Sequence, residues 1–73
     1  MQNIKVIAII TTAEKSGYIN VKISVKKGSI FLFELKNRYY KPSTDYSIIV
    51  DETREYIEDT FSLLGVSVDI NII

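Results

Sequence analysis

Residues 46 to 65 read YSIIVDETREYIEDTFSLLG, and this stretch determines the topology because it interrupts a series of strand patterns with a helical period. Its apolar or small residues lie within about 60° of one line when residues are spaced by 100°. Gly65 follows this stripe and can adopt the left-handed conformation that ends a helix. The stretch therefore predicts one amphipathic helix, whose stripe consists of Tyr46, Ile49, Val50, Thr53, Ile57, Thr60, Phe61 and Leu64.

The start of this helix has two interpretations. Pro42 disfavours a helical conformation of the residue before it, and Ser43 or Thr44 can then cap the first turn with a side-chain oxygen. Alternatively, the β-branched run at 48–50 is extended, and Asp51 caps a shorter helix. The unbroken 3.6-residue period favours the longer helix.

Four strand patterns surround the helix. Residues 4–12 are rich in β-branched residues and apolar on both faces, which is typical of a central strand. Residues 18–26, 29–38 and 66–72 alternate, and polar turns at 14–17 and 27–28 separate the first three strands. Residues 39–42 are predicted as a connection to the helix. In the third strand the expected inward residues are Phe31, Phe33 and Leu35, and the expected outward residues are Ile30, Leu32, Glu34, Lys36 and Arg38.

The element order βββαβ predicts an α+β fold in a single domain covering residues 1–73. Two short turns make the first three strands an antiparallel meander. A right-handed crossover through the helix returns the fourth strand parallel to the first. We therefore expect a four-stranded mixed sheet in the order 3-2-1-4, with the helix packed on one face.

This element order resembles the first half of a ribonuclease H-like fold, which some small antitoxin domains use alone. The resemblance lies in topology and not in site residues. Thr11 and Thr12 stand at the end of the first strand, where such nucleases need acidic residues, and only Asp69 sits on a strand that is plausible for such a site. The resemblance therefore implies a fold and no activity.

The composition argues against an enzyme. The chain has no Cys and no His, which removes disulfides, the usual zinc ligands and the commonest nucleophiles and general bases. Its three glycines stand apart, so no glycine-rich phosphate loop is present. We expect no catalytic residue, no metal site and no cofactor.

The amino-terminal apolar run at 6–10 is too short for the core of a signal peptide. No segment approaches the roughly 20 apolar residues that span a bilayer. We therefore expect a cytoplasmic protein of a bacterial, archaeal or virus-infected cell, with no membrane partner.

Charge is strongly segregated along the chain. Residues 1–41 carry eight basic and two acidic side chains, whereas residues 42–73 carry one basic and seven acidic side chains, so the halves have net charges of +6 and −6. Such asymmetry suggests charged partners. The acidic helix surface is the first candidate site, and its residues are Asp51, Glu52, Glu55, Glu58 and Asp59.

The basic half offers a second candidate. Basic residues interleaved with aromatic ones on an open sheet can follow phosphates and stack on bases. Lysines on strand edges also simply prevent aggregation, so this pattern has a purely structural interpretation as well. The residues of this nucleic-acid-binding alternative are Lys22, Lys26, Lys36, Arg38, Tyr39, Tyr40 and Lys41.

One helix cannot cover both faces of the predicted sheet. We expect Ile7, Ile9, Ile30 and Leu32 on the bare face, where they form the interface of a homodimer. The sequence thus predicts a non-catalytic, homodimeric regulator or inhibitor of the kind found in phages and mobile elements. It binds a protein partner with a basic surface; the alternatives are a nucleic-acid-binding protein and a structural subunit whose sheet face is buried against another protein.

Overall fold

The computed structural model describes residues 4–73 and shows one helix packed on a mixed sheet. Strands β1 (Ile4–Thr12), β2 (Ile19–Lys27), β3 (Ile30–Glu34) and β4 (Arg38–Tyr40) precede helix α1 (Tyr46–Leu63), and strand β5 (Val68–Ile72) follows it. The path of the sheet is β3-β2-β1-β5, and β4 also pairs with β2. The α+β class and the position of the first strand at the centre are therefore confirmed.

Strand β5 pairs in parallel with β1, as predicted. Hydrogen bonds continue this pairing past the end of β5, where the Ile73 amide donates to the Ala8 carbonyl at 2.8 Å and the Ile10 amide donates to the Ile73 carbonyl at 3.0 Å. The described carboxyl terminus is thus fixed to the middle of the sheet.

The predicted third strand is wrong in one respect, because it is two strands, β3 and β4, that share β2 as their partner. Residues 39–40, predicted as part of a connection, belong to β4. The pairing of this stretch with β2 has two one-residue irregularities, one inside β3 and one between β3 and β4. At the first, β2 moves from Val25 to Lys26 while β3 moves from Phe33 to Phe31, which leaves Leu32 as a β-bulge. At the second, β2 moves three residues from Ser24 to Val21 while the other segment moves four, from Glu34 to Arg38.

Each irregularity inverts the faces of the residues beyond it, because side chains alternate with a period of two. Phe33 and Leu35 point to the helix side as predicted, with Phe33 opposite the buried Val25. Phe31 instead lies opposite Lys26 on the open sheet face, by which we mean the face without the helix. Ile30 lies opposite Lys27 and therefore faces the helix side, so its assignment to the bare face is wrong.

Helix α1 begins at Tyr46, so the longer helix is confirmed. Its N-cap is Asp45 and not Ser43 or Thr44, and no side chain caps the first turn. The Asp45 carbonyl accepts the amides of Ile48 and Ile49 instead. At the other end Gly65 has a φ of 68°, and the Val66 amide returns to the Phe61 carbonyl at 3.0 Å, which is the pattern of a Schellman motif.

The core lies between α1 and the two central strands. Helix residues at a spacing of four, Ile49, Thr53, Ile57 and Phe61, are buried against the helix-side residues of β1 and β2. The ends of the predicted stripe, Tyr46 and Leu64, are exposed. The strand residues of the core are Val6, Ala8, Val21, Ile23 and Val25.

Within residues 4–73, no helix combines the length and the apolar character that crossing a membrane requires.

The core contains one polar side chain whose hydroxyl has no partner. Thr53 is fully buried, and its Oγ1 makes no hydrogen bond, whereas Oγ1 of Thr60 in the same helix donates to the Tyr56 carbonyl at 2.7 Å. A buried hydroxyl without a partner costs about 1–3 kcal/mol. We expect Thr53→Val to raise the free energy of unfolding by about 1 kcal/mol in urea denaturation, and Thr60→Val, the matched control, to give no gain. A Thr53→Val protein that is no more stable than the wild type would contradict this account.

Candidate interaction surfaces

The acidic helix surface faces solvent along the length of α1. Asp51, Glu55, Glu58 and Asp59 are exposed, and Glu52 is half-buried. In the part of the chain that the structure describes, the single ion pair within 4.0 Å joins Lys22 and Glu34 at 3.2 Å, so none of these five carboxylates has a cationic partner at that distance. The structure therefore brings together the residues predicted from the sequence, and within residues 4–73 none of them forms an ion pair at that distance.

The positions of these carboxylates in the helix do not stabilise it. Carboxylates stabilise a helix in its first turn and cations in its last, yet the first turn of α1 holds no acidic residue and the last turn no basic one. Asp51, Glu55 and Asp59 instead follow one another at a spacing of four, where like charges repel by a few tenths of a kcal/mol per pair. The surface is therefore slightly costly to the isolated chain.

A shallow depression of about 400 Å³ lies beside the acidic helix surface, and Glu52, Glu55, Asp59, Tyr56 and Arg38 line it. Arg38 enters from β4 opposite Val21, on the helix side of the sheet. Its guanidinium carbon lies 5.0 Å from the centre of the Tyr56 ring, and its Nε donates to the Tyr40 hydroxyl at 3.1 Å. Arg38 thus forms a cation–π contact with the helix and borders the acidic residues.

This position of Arg38 divides the predicted basic surface. Lys22 and Lys26 lie on the open sheet face, and Tyr39, opposite Asn20, joins them there with 68% of its surface exposed. Tyr40 lies on the helix side, partly buried against the core. Lys36 and Lys41 lie outside the strands. The seven residues of the nucleic-acid-binding alternative therefore do not form one face, because the second register irregularity inverts the side of Arg38.

The open sheet face carries two of the four residues predicted for the dimer interface. Ile7 pairs with Ser24 and Ile9 with Lys22, and Ile9 is 40% exposed. Ile30 is on the other side of the sheet, and Leu32 is the bulge residue. Five charged side chains surround the two isoleucines on this face: Lys5, Lys22, Lys26, Glu34 and Asp69.

The remaining concave sites are wide grooves. One of them, of about 620 Å³, runs between the carboxyl end of α1 and β5 and has Arg54, Phe61 and Asp69 among its lining residues. Residues 4–73 contain no group of three or more acidic side chains placed to hold a metal ion.

The contact of Arg38 with Tyr56 is the feature of this site that sequence patterns missed. The two residues are far apart in the chain, and the contact requires Arg38 to point to the helix side. A strict alternation through residues 29–38 predicts the opposite side. Only the extra residue between β3 and β4 produces the contact.

No protein-family model matches the sequence, and neither the curated proteins nor the solved structures contain a significant match.

The repulsion along the acidic helix surface predicts a stabilising substitution. Glu55→Lys replaces two repulsive pairs, with Asp51 and Asp59, by two attractive ones, and we expect a gain of about 1 kcal/mol in the free energy of unfolding at low salt. The gain should shrink in 0.5 M salt because screening weakens exposed charges. Glu14→Lys, in the turn between β1 and β2, is the matched control and should change the free energy of unfolding by less than about 0.5 kcal/mol. Equal effects of the two substitutions would show that the helix charges do not repel one another.

Proposed function

We propose that this chain is a non-catalytic interaction module that binds a protein with a basic surface through the acidic helix surface. The observation that carries the proposal is the row of five carboxylates without intramolecular ion pairs in the described residues. A partner bearing Lys or Arg would remove the repulsion along the helix and gain Coulomb energy on binding.

The depression beside Arg38 gives this surface a shape as well as a charge. A partner cation placed in it meets Glu52, Glu55 and Asp59, and Tyr56 and Arg38 complete the lining. Arg38 lies over the Tyr56 ring and, among the described residues, makes no ion pair within 4.0 Å with these carboxylates. The surface resembles a row of phosphates in charge, and it would compete with nucleic acid for a partner's basic groove.

The module acts as a homodimer in this proposal, as a small regulator or inhibitor of the kind that phages and mobile elements carry. Within residues 4–73 the buried apolar core consists of eight residues, and a chain of this size without disulfides usually needs a further source of stability. Self-association is the common one, and two-fold dimers are its commonest form.

The partner proposal is tested by affinity capture with two variants of equal charge. In the first, amides replace the carboxylates of Glu52, Glu55, Glu58 and Asp59. In the second, amides replace those of Glu14, Glu34, Asp45 and Asp69, which lie elsewhere on the chain. Each immobilised variant is exposed to nuclease-treated extract of cells that carry the gene. We expect the second variant to retain the polypeptides that the wild type captures, and the first to lose them by tenfold or more.

Equal retention by both variants would overturn the acidic helix surface as the binding site. Equal loss by both would show that only net charge matters, and it would also overturn the proposal of a specific surface. Nuclease treatment ensures that nucleic acid does not bridge the captured proteins.

The second candidate function is nucleic-acid binding by the open sheet face, and the exposed Tyr39 beside Lys22 and Lys26 is the observation that favours it. Fluorescence anisotropy with labelled single- and double-stranded oligonucleotides at 50 mM salt tests it. We expect no saturable binding, because Glu34 pairs with Lys22 and Arg38 lies on the other side of the sheet. Binding that weakens linearly on a log–log salt plot, and that Tyr39→Ala abolishes, would replace the proposed function with this one.

A further inference from the structure

Strand β3 does not have the exposure pattern of a strand in a finished sheet. All five of its residues are exposed: Ile30 by 64%, Phe31 by 54%, Leu32 by 44%, Phe33 by 45%, and Glu34. The other edge strand, β5, alternates half-buried and exposed residues, with Asp69 and Asn71 pointing away from the helix. Four consecutive exposed large apolar residues on an edge strand mark a place where another strand adds.

The cause of this exposure is the position of β3 relative to the helix. Helix α1 buries Val25 on β2, but it does not cover Phe33, which pairs with Val25. The bulge at Leu32 then directs Phe31 to the open sheet face, while Ile30 and Phe33 are on the helix side. Apolar side chains therefore stand on both faces of β3. A partner that lies against one face leaves the other in water, whereas a strand added in the plane of the sheet covers both.

We propose that β3 is the joint of the homodimer, at which a second copy of this chain adds its own β3 in antiparallel pairing about a two-fold axis. The inference rests on the homodimer in the proposed function, and it moves the interface from the open sheet face to the edge. The two sheets then form one continuous sheet across the joint.

A second copy fits this edge because antiparallel pairing makes the strand its own complement. Phe31 of both copies lies on the open side of the joint, and Ile30 and Phe33 of both copies lie on the helix side. Antiparallel pairing also separates the two Glu34 carboxylates. Each of them points toward the amino-terminal end of the other copy's β3, where Phe31 pairs with Lys26 of β2. Parallel pairing would set the two carboxylates side by side. Of the features that block pairing at a sheet edge, β3 has the bulge at Leu32 and the charge of Glu34 but neither Lys nor Pro.

The exposed area suits a weak dimer. If a fully exposed side chain of this size presents roughly 200 Å², the four apolar residues of β3 expose about 400 Å² per copy, or about 800 Å² in the pair. The adjoining backbone brings this total toward the lower end of the range for specific interfaces, about 1,200 Å². We expect dimerisation with a dissociation constant on the order of 10 µM.

The open sheet face is the poorer joint because of its charges. Packing two such faces together would bury Lys5, Lys22 and Lys26 with Glu34 and Asp69 around Ile7 and Ile9. Removing a charged group from water costs several kcal/mol unless it gains a well-placed partner. Pairing at the edge leaves the charges of this face in water.

Sedimentation velocity between 1 and 500 µM tests the joint with Phe31→Lys and Phe33→Lys against Ile9→Lys as the matched control. We expect the wild type to pass from monomer to dimer, the two edge variants to raise the dissociation constant at least tenfold, and Ile9→Lys to change it less than threefold. Amide hydrogen exchange supplies a readout without substitution: exchange of the β3 amides should slow as the wild-type concentration rises, while that of the exposed turn at 14–17 should not.

The alternative results are distinct. Loss of the dimer in Ile9→Lys with retention in the edge variants would overturn the joint at β3 and leave the homodimer standing. A wild type that stays monomeric at 500 µM would overturn both the joint and the homodimer, whereas binding by the acidic helix surface is decided separately by the capture experiment. Growth beyond a dimer would overturn the closed two-fold arrangement.

Discussion

A single helix can cover only part of a sheet that is four strands wide, and the remaining features of this molecule depend on that limit. A helix is about 10–12 Å wide with its side chains, and strands lie about 4.8 Å apart, so one helix shields roughly two strands directly. Here the helix residues from Ile49 to Phe61 fully bury positions of β1 and β2, while those of β5 remain half-buried. Strand β3 lies outside the area that the helix covers, and no part of the described chain buries its apolar side chains.

The same limit gives the molecule two surfaces with different chemistry. The outer side of the helix carries carboxylates, and the uncovered edge of the sheet carries large apolar side chains. Because the β3 edge and the acidic helix surface belong to separate elements, the proposed dimerisation and the proposed binding of a basic partner would not compete. The core that supports both surfaces is small, so neither of them can rely on a large reserve of stability.

Sequence patterns predicted the fold class, the sheet order and the helix because each rests on many residues that agree. The helix includes the β-branched run at 48–50, as its 3.6-residue period predicted, because Ile49 is one of four buried helix residues spaced by four. The N-cap was wrong because a cap depends on a single residue, and the Asp45 carbonyl supplies the first helical bonds without help from a side chain. The strand from 29 to 38 was wrong beyond each irregularity, where Ile30 and Phe31 exchange sides and Arg38 turns to the helix. The helical period placed the acidic residues outside the stripe, and in the structure four of them are exposed and Glu52 is half-buried.

Because of the bulge at Leu32, the side chains exposed on the β3 edge can change without a change in the buried side chains of the core. Phe33, Phe31 and Ile30 lie opposite Val25, Lys26 and Lys27, so removal of Leu32 would leave these residues on their present faces and take one exposed apolar side chain from the edge, while Val21, Ile23 and Val25 stay buried on β2. A change of this kind alters the outline of the rim without disturbing the interior. In the dimer proposed above, a change of length at Leu32 would alter the edge that each copy presents to the other. Proteins descended from this sequence that share such a change would then pair with one another and no longer with the ancestral protein.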